Sequence, residues 1–418
     1  MRTPLRMAIL AAAIGLGCGS VPPSDDPLER ARHLMEEVPL IDGHNDLPWE
    51  LRERFHSSFD SLDMASPQPA LMTDIPRLRL GMVGAQFWST YTPSEIEHPA
   101  RAGMEQVDIV RRMAERYPDV FVMAGTADDV ERIHREGKIA SMAGLEGGHM
   151  IENSLGLLRA YYREGVRYMT LTHNSSTDWA DAATGTQTHG GLTPFGKEVV
   201  REMNRIGMLV DLAHASDSTM WDVLRVTEAP VIYSHSSARA FVPHPRNVPD
   251  DIAKAVADNG GVIMVNYYPP FDYRPTYDWT VTRDSLTASW RRAGVGDAAR
   301  ADSLRVWEAA HPVPLPDLAV VADHIEHFRD VAGPDHVGIG SDLDGIDFKP
   351  VGLEDVSTFP DLIAELLRRG WSDEDAKKVI GLNVLRVMRE AETVAARLQL
   401  ERSAGVVRFE ETGDTRRR

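Results

Sequence analysis

Val210-Asp211-Leu212-Ala213-His214 and Val231-Ile232-Tyr233-Ser234-His235 are apolar, β-branched runs, each closed by a histidine. Their composition predicts two strands with an imidazole at each C-terminal end. Between them, Thr219–Thr227 has the spacing of an amphipathic helix, so the pair reads as two consecutive strand–helix units. The same unit recurs in both directions. Working outward, the strands expected are Val38–Gly43, Gly84–Trp88, Ile139–Leu145, Arg167–Leu171, Met208–Leu212, Val231–Tyr233, Val262–Asn266 and Val337–Gly340, eight in all. Amphipathic stretches at Ile151–Arg163, Pro194–Ile206, Pro249–Asp258 and Asp317–Phe328 supply crossover helices.

This alternation predicts an α/β chain, either a (β/α)₈ barrel or an open doubly wound sheet. The polar residues favour the barrel. Nearly every strand ends in a group capable of chemistry: His44 and Asp46, Glu146, His173, His214, His235 and Asp342. A barrel gathers strand C-termini at one mouth, whereas an open sheet spreads them along an edge.

One segment breaks the rhythm. Pro269 to Pro316, between the seventh and eighth strands, is longer than a βα connection needs and reads as a helical insertion over the mouth or at a subunit contact. Pro27 to Glu37 opens the folded domain, which is expected to span 27–400, followed by a polar tail over 401–418. Ahead of it, Arg2 and Arg6 precede the apolar run Met7 to Leu16, the pattern of a signal peptide over 1–17. Cys18, the only cysteine, stands where cleavage is expected and resembles the lipid-modified cysteine of bacterial lipoproteins, with 18–26 as a tether. A plain cleaved signal peptide is the alternative. Both readings predict export, and the lipid anchor would hold the protein at the bacterial cell envelope.

With a single cysteine no intramolecular disulfide can form, so stability has to come from a packed core. The 43% hydrophobic content is ample for one. Asp and Glu number 63 against 45 Lys and Arg, a formal charge of −18 with no basic stripe, which argues against nucleic acid as a partner. No stretch beyond the N-terminal signal is apolar enough to span a bilayer, and the cationic end at Arg416-Arg417-Arg418 argues against a C-terminal lipid anchor.

The strand-end residues form a metal-binding set. His44 and Asp46 lie two apart at a strand end and so share a face. A His-x-Asp alone is as often a structural pair. Three imidazoles and two carboxylates at successive strand ends are hard to explain as core filling. Glu146, flanked by Gly144, Gly147 and Gly148, can bridge two cations, with His44 and Asp46 on one side and His214 and His235 on the other. That would make a binuclear site with metals about 3.5–4 Å apart. Asp342 is placed to move a proton, with Asp344 as competitor, and Arg246 is placed to grip a carboxylate as a bidentate fork. His149 reads as a supporting or surface residue.

The stretches HNDLPWEL (44–51), GLEGGH (144–149), RYMTLTHNSSTDWAD (167–181), VDLAH (210–214), SHSSAR (234–239), RNVPDD (246–251), MVNYY (264–268) and GSDLDG (340–345) together resemble the membrane (renal) dipeptidase family of the amidohydrolase superfamily. The resemblance runs from about residue 38 to 390. It implies a (β/α)₈ barrel of the metal-dependent hydrolase type and two zinc ions, one on His44, Asp46 and Glu146, the other on Glu146, His214 and His235. His173 stands where many binuclear amidohydrolases carry a carboxylated lysine, and by analogy with the family it would stabilise an oxyanion. The position of Asp342 also matches the family. The lack of disulfides and an anchor at the N-terminal end depart from some members, which leaves a homodimer open.

The expected activity is therefore zinc-dependent hydrolysis of dipeptides to free amino acids by a metal-bridging hydroxide, tolerant of a C-terminal D-residue. Arg246 would hold the substrate's carboxylate. The alternatives are another metal-dependent amidohydrolase, such as an N-acyl amino acid deacylase or lactonase, and a non-catalytic exported binding lipoprotein.

Overall fold

A computed structural model describes residues 25–413; the expected signal peptide and Cys18 lie outside the described residues. The opening helix forms over Pro27–Glu37, with the Asp26 carboxylate accepting Leu28 N–H (3.1 Å) at its N-cap and Pro27 in the first turn. Nine strands follow: β1 (Leu40–Asn45), β2 (Val83–Tyr91), β3 (Phe121–Met123), β4 (Ile139–Glu146), β5 (Val166–Thr170), β6 (Leu209–Asp211), β7 (Ile232–Tyr233), β8 (Val262–Val265) and β9 (Val337–Ile339).

All pairings among them are parallel. The order runs β2-β1-β9-β8-β7-β6-β5-β4, and β4 returns to β2 through Ala85↔Ala140 to Tyr91↔Glu146, closing a ring of eight. This is a (β/α)₈ barrel, and its eight strands are those expected from the sequence. The ring strands are buried on both faces, which is why they read as apolar runs. The ninth strand, β3, pairs only with Ile139–Ser141 of β4, on the edge that β5 takes over from Ala143 onward. Three residues are too few to show a period in sequence, so β3 was not legible there.

The helices start where local chemistry allows. Thr193 caps Pro194–Ile206 and Ser216 caps Asp217–Val226, each hydroxyl accepting a first-turn N–H. The expected insertion is helical: Pro269–Asp272, Arg274–Arg292 and Asp297–Ala310 lie between β8 and β9. Its last helix buries no residue against the barrel. At the opposite end of the barrel, Asn383–Glu401 places Val384, Leu385 and Met388 in one apolar cluster with the strand residues Ile41, Phe87, Met142 and Met264. Asn383 Nδ2–H donates to the carbonyl of Val337 (2.8 Å), at the start of β9, so this helix closes the N-terminal end of the barrel.

The segment after Glu401 is less free than its polar composition suggested. Gly405 N–H donates to Glu202 Oε2 (3.0 Å), its carbonyl accepts from Arg159 (2.9 Å), and Phe409 packs edge-on to Phe195 at 5.5 Å. Backbone groups and a single aromatic anchor it, which composition does not reveal. Among the described residues, no helix is long and apolar enough to cross a membrane.

Strand ends also approach each other across the interior. A Cβ on Gly340, just past β9, would lie 1.8 Å from the carbonyl oxygen of Ser234, just past β7. No side-chain rotation relieves a clash with backbone, so the roughly 1–3 kcal/mol typical of overpacking is a lower bound. Gly340→Ala is expected to lower the melting temperature by several degrees in calorimetry. Gly156→Ala, inside the helix Leu155–Arg163 and with only Ser154 Oγ near its Cβ, at an ordinary 3.4 Å, serves as the control and should melt no lower than the unmutated protein.

Candidate active site

The barrel mouth collects the strand-end residues as the sequence predicts. His44 lies on β1, Glu146 ends β4, and Asp46, His173, His214, His235 and Asp342 follow within three residues of their strands. All of these but His44, which lies fully buried behind them, surround with Arg246 a cavity of about 380 Å³ that Trp49, Tyr91, Tyr268, Phe271 and Ile346 also line. That volume lies near the small end of the ~300–1,000 Å³ usual for ligand sites.

Glu146 is central. Its Oε2 faces His44 Nε2 at 3.4 Å and accepts the Ser89 hydroxyl at 3.0 Å. Its Oε1 faces His214 Nε2 at 3.2 Å, His235 Nε2 at 3.6 Å and His173 Nε2 at 3.7 Å. Asp46 Oδ2 joins the first side, 3.3 Å from His44 Nε2. The two oxygens of one carboxylate therefore face different imidazoles, His44 on one side and His214, His235 and His173 on the other. Among the described residues, three groups of side chains converge closely enough to hold a metal ion: His44, Glu146 and His235; Glu146, His173 and His214; and His44, Asp46 and Asp342.

Hydrogen bonds behind the imidazoles show which nitrogens are available. His44 Nδ1 meets the Tyr168 hydroxyl at 2.7 Å, while its buried Nε2 has no hydrogen-bond partner. His235 Nδ1 lies 2.8 Å from Ser234 Oγ, whose own hydroxyl proton goes to Asp211 Oδ2 at 2.6 Å. Ser234 is thus left to accept from Nδ1–H, and His235 Nε2 keeps its lone pair for the site. His214 Nε2 and His235 Nε2 are 3.1 Å apart. Imidazole nitrogens crowded beside carboxylate oxygens, with His44 Nε2 lacking any hydrogen-bond partner, are the donor set of a divalent transition metal, and the residues fit such an ion.

The charges are strongly perturbed. Burial raises the Glu146 pKa, but His44 and His173 outweigh it and hold the carboxyl well below the usual range. For Asp342, burial, reinforced by Asp46 and Glu146, overcomes the opposing pull of His44 and pushes the pKa up to about 8. Burial also lowers the His173 pKa, against the opposing pull of Glu146. Asp342 Oδ2 accepts from Asn266 Nδ2–H at 2.9 Å.

Arg246 is 2% exposed and lines the cavity. Its guanidinium makes only long bonds, 3.4 Å to Ser236 Oγ and 3.4 Å to the carbonyl of His235, and its Nε has no partner. None of the described acidic side chains forms an ion pair with it. Burial is what brings its pKa down to about 10. A buried, unpaired cation facing a cavity calls for an anion from outside.

The remaining expectations fall into place around this centre. Asp344, the competitor of Asp342, also lines the cavity, and its Oδ1 accepts Met72 N–H at 2.6 Å. His149 bonds Thr92 Oγ1 at 3.0 Å, away from the donor sets. Sequence reasoning missed Tyr168, Ser89 and Asn266. Asn266 carried a signal, since it ends β8 as Asp342 ends β9. Tyr168 and Ser89 sit inside strands and carried none.

A sequence model of the family described as membrane dipeptidase (peptidase family M19) matches residues 28–402. Dipeptidase verJ of Clonostachys rogersoniana is 43% identical over 388 residues, 90% of each chain. Among solved structures, the probable dipeptidase PvdM of Pseudomonas aeruginosa superposes with a TM-score of 0.77 at 24% identity, covering 88% of this chain and 99% of that one. A metallopeptidase from Rhodobacter sphaeroides, liganded with a phosphinate mimic of the dipeptide L-Ala-D-Ala, gives 0.69 at 22% identity, covering 85% and 99%.

An uncompensated charge is a cost to the folded protein. Arg246→Met, which keeps an unbranched chain and removes the charge, is expected to melt at the same temperature as the unmutated protein or higher. A fall of several degrees would mean that the guanidinium supports the loop rather than awaiting an anion.

Proposed function

Starting from a chain that belongs to the membrane dipeptidase family and is a metal-dependent dipeptidase, we propose that it works with two zinc ions on substrates recognised by their free C-terminal carboxylate. The observation that carries this reading is the division of Glu146, with one oxygen toward His44 and the other toward His214 and His235. His44, Asp46 and Glu146 would hold one ion, and Glu146, His214 and His235 the other. When bound, such a pair supplies a nucleophile at neutral pH by acidifying water and polarises the scissile carbonyl.

The chain's own residues do the rest. Arg246 binds the substrate carboxylate as a fork, which fixes the peptide's C-terminal end in the cavity. His173 offers an N–H to the carbonyl oxygen as negative charge develops there. Asp342, held by Asn266 and freed of its proton when bound cations offset the like charge of Asp46 and Glu146, would take the proton of the attacking water and return it to the leaving nitrogen. Cleavage releases two free amino acids. Because the anchor reads a carboxylate and not a side chain, a D-residue at the C-terminal position is accepted.

Metal analysis of the purified protein should approach two zinc per chain, with activity lost on chelation; full activity at one per chain would remove the bridging role of Glu146. Asp342→Asn should keep both ions while kcat falls by about 10²–10⁴-fold. A dipeptide should be hydrolysed, and its C-terminal amide should lose about 2–5 kcal/mol of transition-state binding. Equal rates on acid and amide, or faster turnover of N-acyl amino acids, would move the reading to a general amidohydrolase.

The same reading extends to location. Export and lipidation at Cys18 would place the enzyme at the bacterial cell envelope, where short peptides are at hand. Intact mass of the membrane-extracted protein tests this, since the acyl mass should vanish in Cys18→Ser.

A further inference from the structure

Two buried aspartates outside the donor set, Asp42 and Asp211, occupy equivalent positions in the barrel. Asp42 on β1 is in register with Ile339 of β9, and Asp211 on β6 is in register with Ile232 of β7. In both cases the serine two residues beyond that isoleucine turns back onto the aspartate. Ser341 donates through N–H to Asp42 Oδ1 and through its hydroxyl to Oδ2, both at 2.7 Å. Ser234 donates through N–H to Asp211 Oδ1 at 2.9 Å and through its hydroxyl to Oδ2 at 2.6 Å.

The correspondence extends to the other donors. Each aspartate accepts the backbone N–H two residues ahead, His44 for Asp42 (3.4 Å) and Ala213 for Asp211 (3.0 Å). Each also accepts a side chain from its register partner on the opposite neighbouring strand, Gln86 of β2 (2.9 Å) and Thr170 of β5 (2.6 Å). All six of these side chains are fully buried. The residue following each serine is the one that faces the cavity: Asp342 after Ser341, and His235 after Ser234.

We propose that Asp42 and Asp211 are twin positioning residues, each gripping a serine on the adjacent strand and thereby aiming the next side chain, Asp342 or His235, into the active site. A carboxylate accepts on both oxygens, so it can bind the serine N–H and O–H at once and leave that residue a single orientation. For His235 the consequence is a tautomer: the Ser234 hydroxyl proton is committed to Asp211, so Ser234 Oγ accepts Nδ1–H and Nε2 is bare. For Asp342 the consequence is a backbone held from two sides. Ser341 is fixed by Asp42, Asp342 N–H donates to the carbonyl of His44 (3.0 Å), and Asp342 is kept at φ 64°.

The two grips have different outputs, which makes them testable. This inference rests on the two-zinc reading above for its metal readout, and on imidazole nitrogen chemical shifts for a readout independent of metal. Ser234→Ala is expected to weaken zinc binding by about 10–100-fold in chelator competition. In the zinc-free protein its His235 should lose the Nδ1–H preference that nitrogen NMR is expected to find in the unmutated chain. Ser234→Thr keeps the hydroxyl and should restore both. Asp211→Asn, of the same shape, is the second variant and should lose zinc affinity likewise. Ser341→Ala is expected to bind zinc as the unmutated protein does, with kcat down about 10–100-fold and KM held. Unchanged zinc affinity and tautomer in Ser234→Ala, or equal zinc loss in Ser234→Ala and Ser341→Ala, would overturn the proposal. Failure of the unmutated protein to bind zinc would instead overturn the two-zinc reading, and the tautomer measurement would still decide the grip.

Discussion

A carboxylate 4% exposed, with four imidazole nitrogens within 3.7 Å of its oxygens, is the constraint on which the rest of this structure depends. Removing such a charge from water is expensive unless charges or polar groups of the protein meet it. Glu146 is met from both sides, and the partners come from β1, β5, β6 and β7 or the residues just beyond them. Only a closed ring of parallel strands, with all C-terminal ends at one mouth, brings donors from so many strands to one carboxylate.

Delivering the side chains inward also strains the backbone. His214, Asp342 and Asp344 lie at φ 64°, 64° and 65°, in the left-handed region that non-glycine residues avoid. Each costs on the order of 1–3 kcal/mol and persists only where surrounding structure over-determines it. Here the surroundings are the strand ends themselves, pinned by Asp42, Asp211 and the backbone bonds from His44 and Met72. Buried charge and an unpaired Arg246 gather at the mouth, while the far end is closed by the ordinary apolar packing of Asn383–Glu401. Stability is supplied away from the site and drawn down at it.

Much of this was legible beforehand. The eight ring strands announced themselves because strands buried on both faces are continuous apolar runs, and the donor set did so because a polar residue at the end of such a run has nowhere to point but the mouth. Asn266 obeys the same rule and was overlooked because an amide suggests neither a metal nor a proton carrier. Phe121–Met123 is too short for any periodicity. The anchoring of Gly405 and Phe409 depends on contacts to Glu202, Arg159 and Phe195, none of them near in sequence.

By itself the sequence determined the fold class, the mouth and the chemical identity of the groups in it, because periodicity, capping and strand-end polarity are local properties written in neighbouring residues. Which oxygen of Glu146 meets which histidine, that Arg246 has no carboxylate partner, and that Asp42 and Asp211 share one pattern of grips were decided only by tertiary structure. Asp42 and Ser341 lie 299 residues apart, and nothing local relates them. They meet because closure of the barrel places β9 beside β1 and strand register sets Asp42 against Ile339, which fixes the distance between their side chains to within a hydrogen bond.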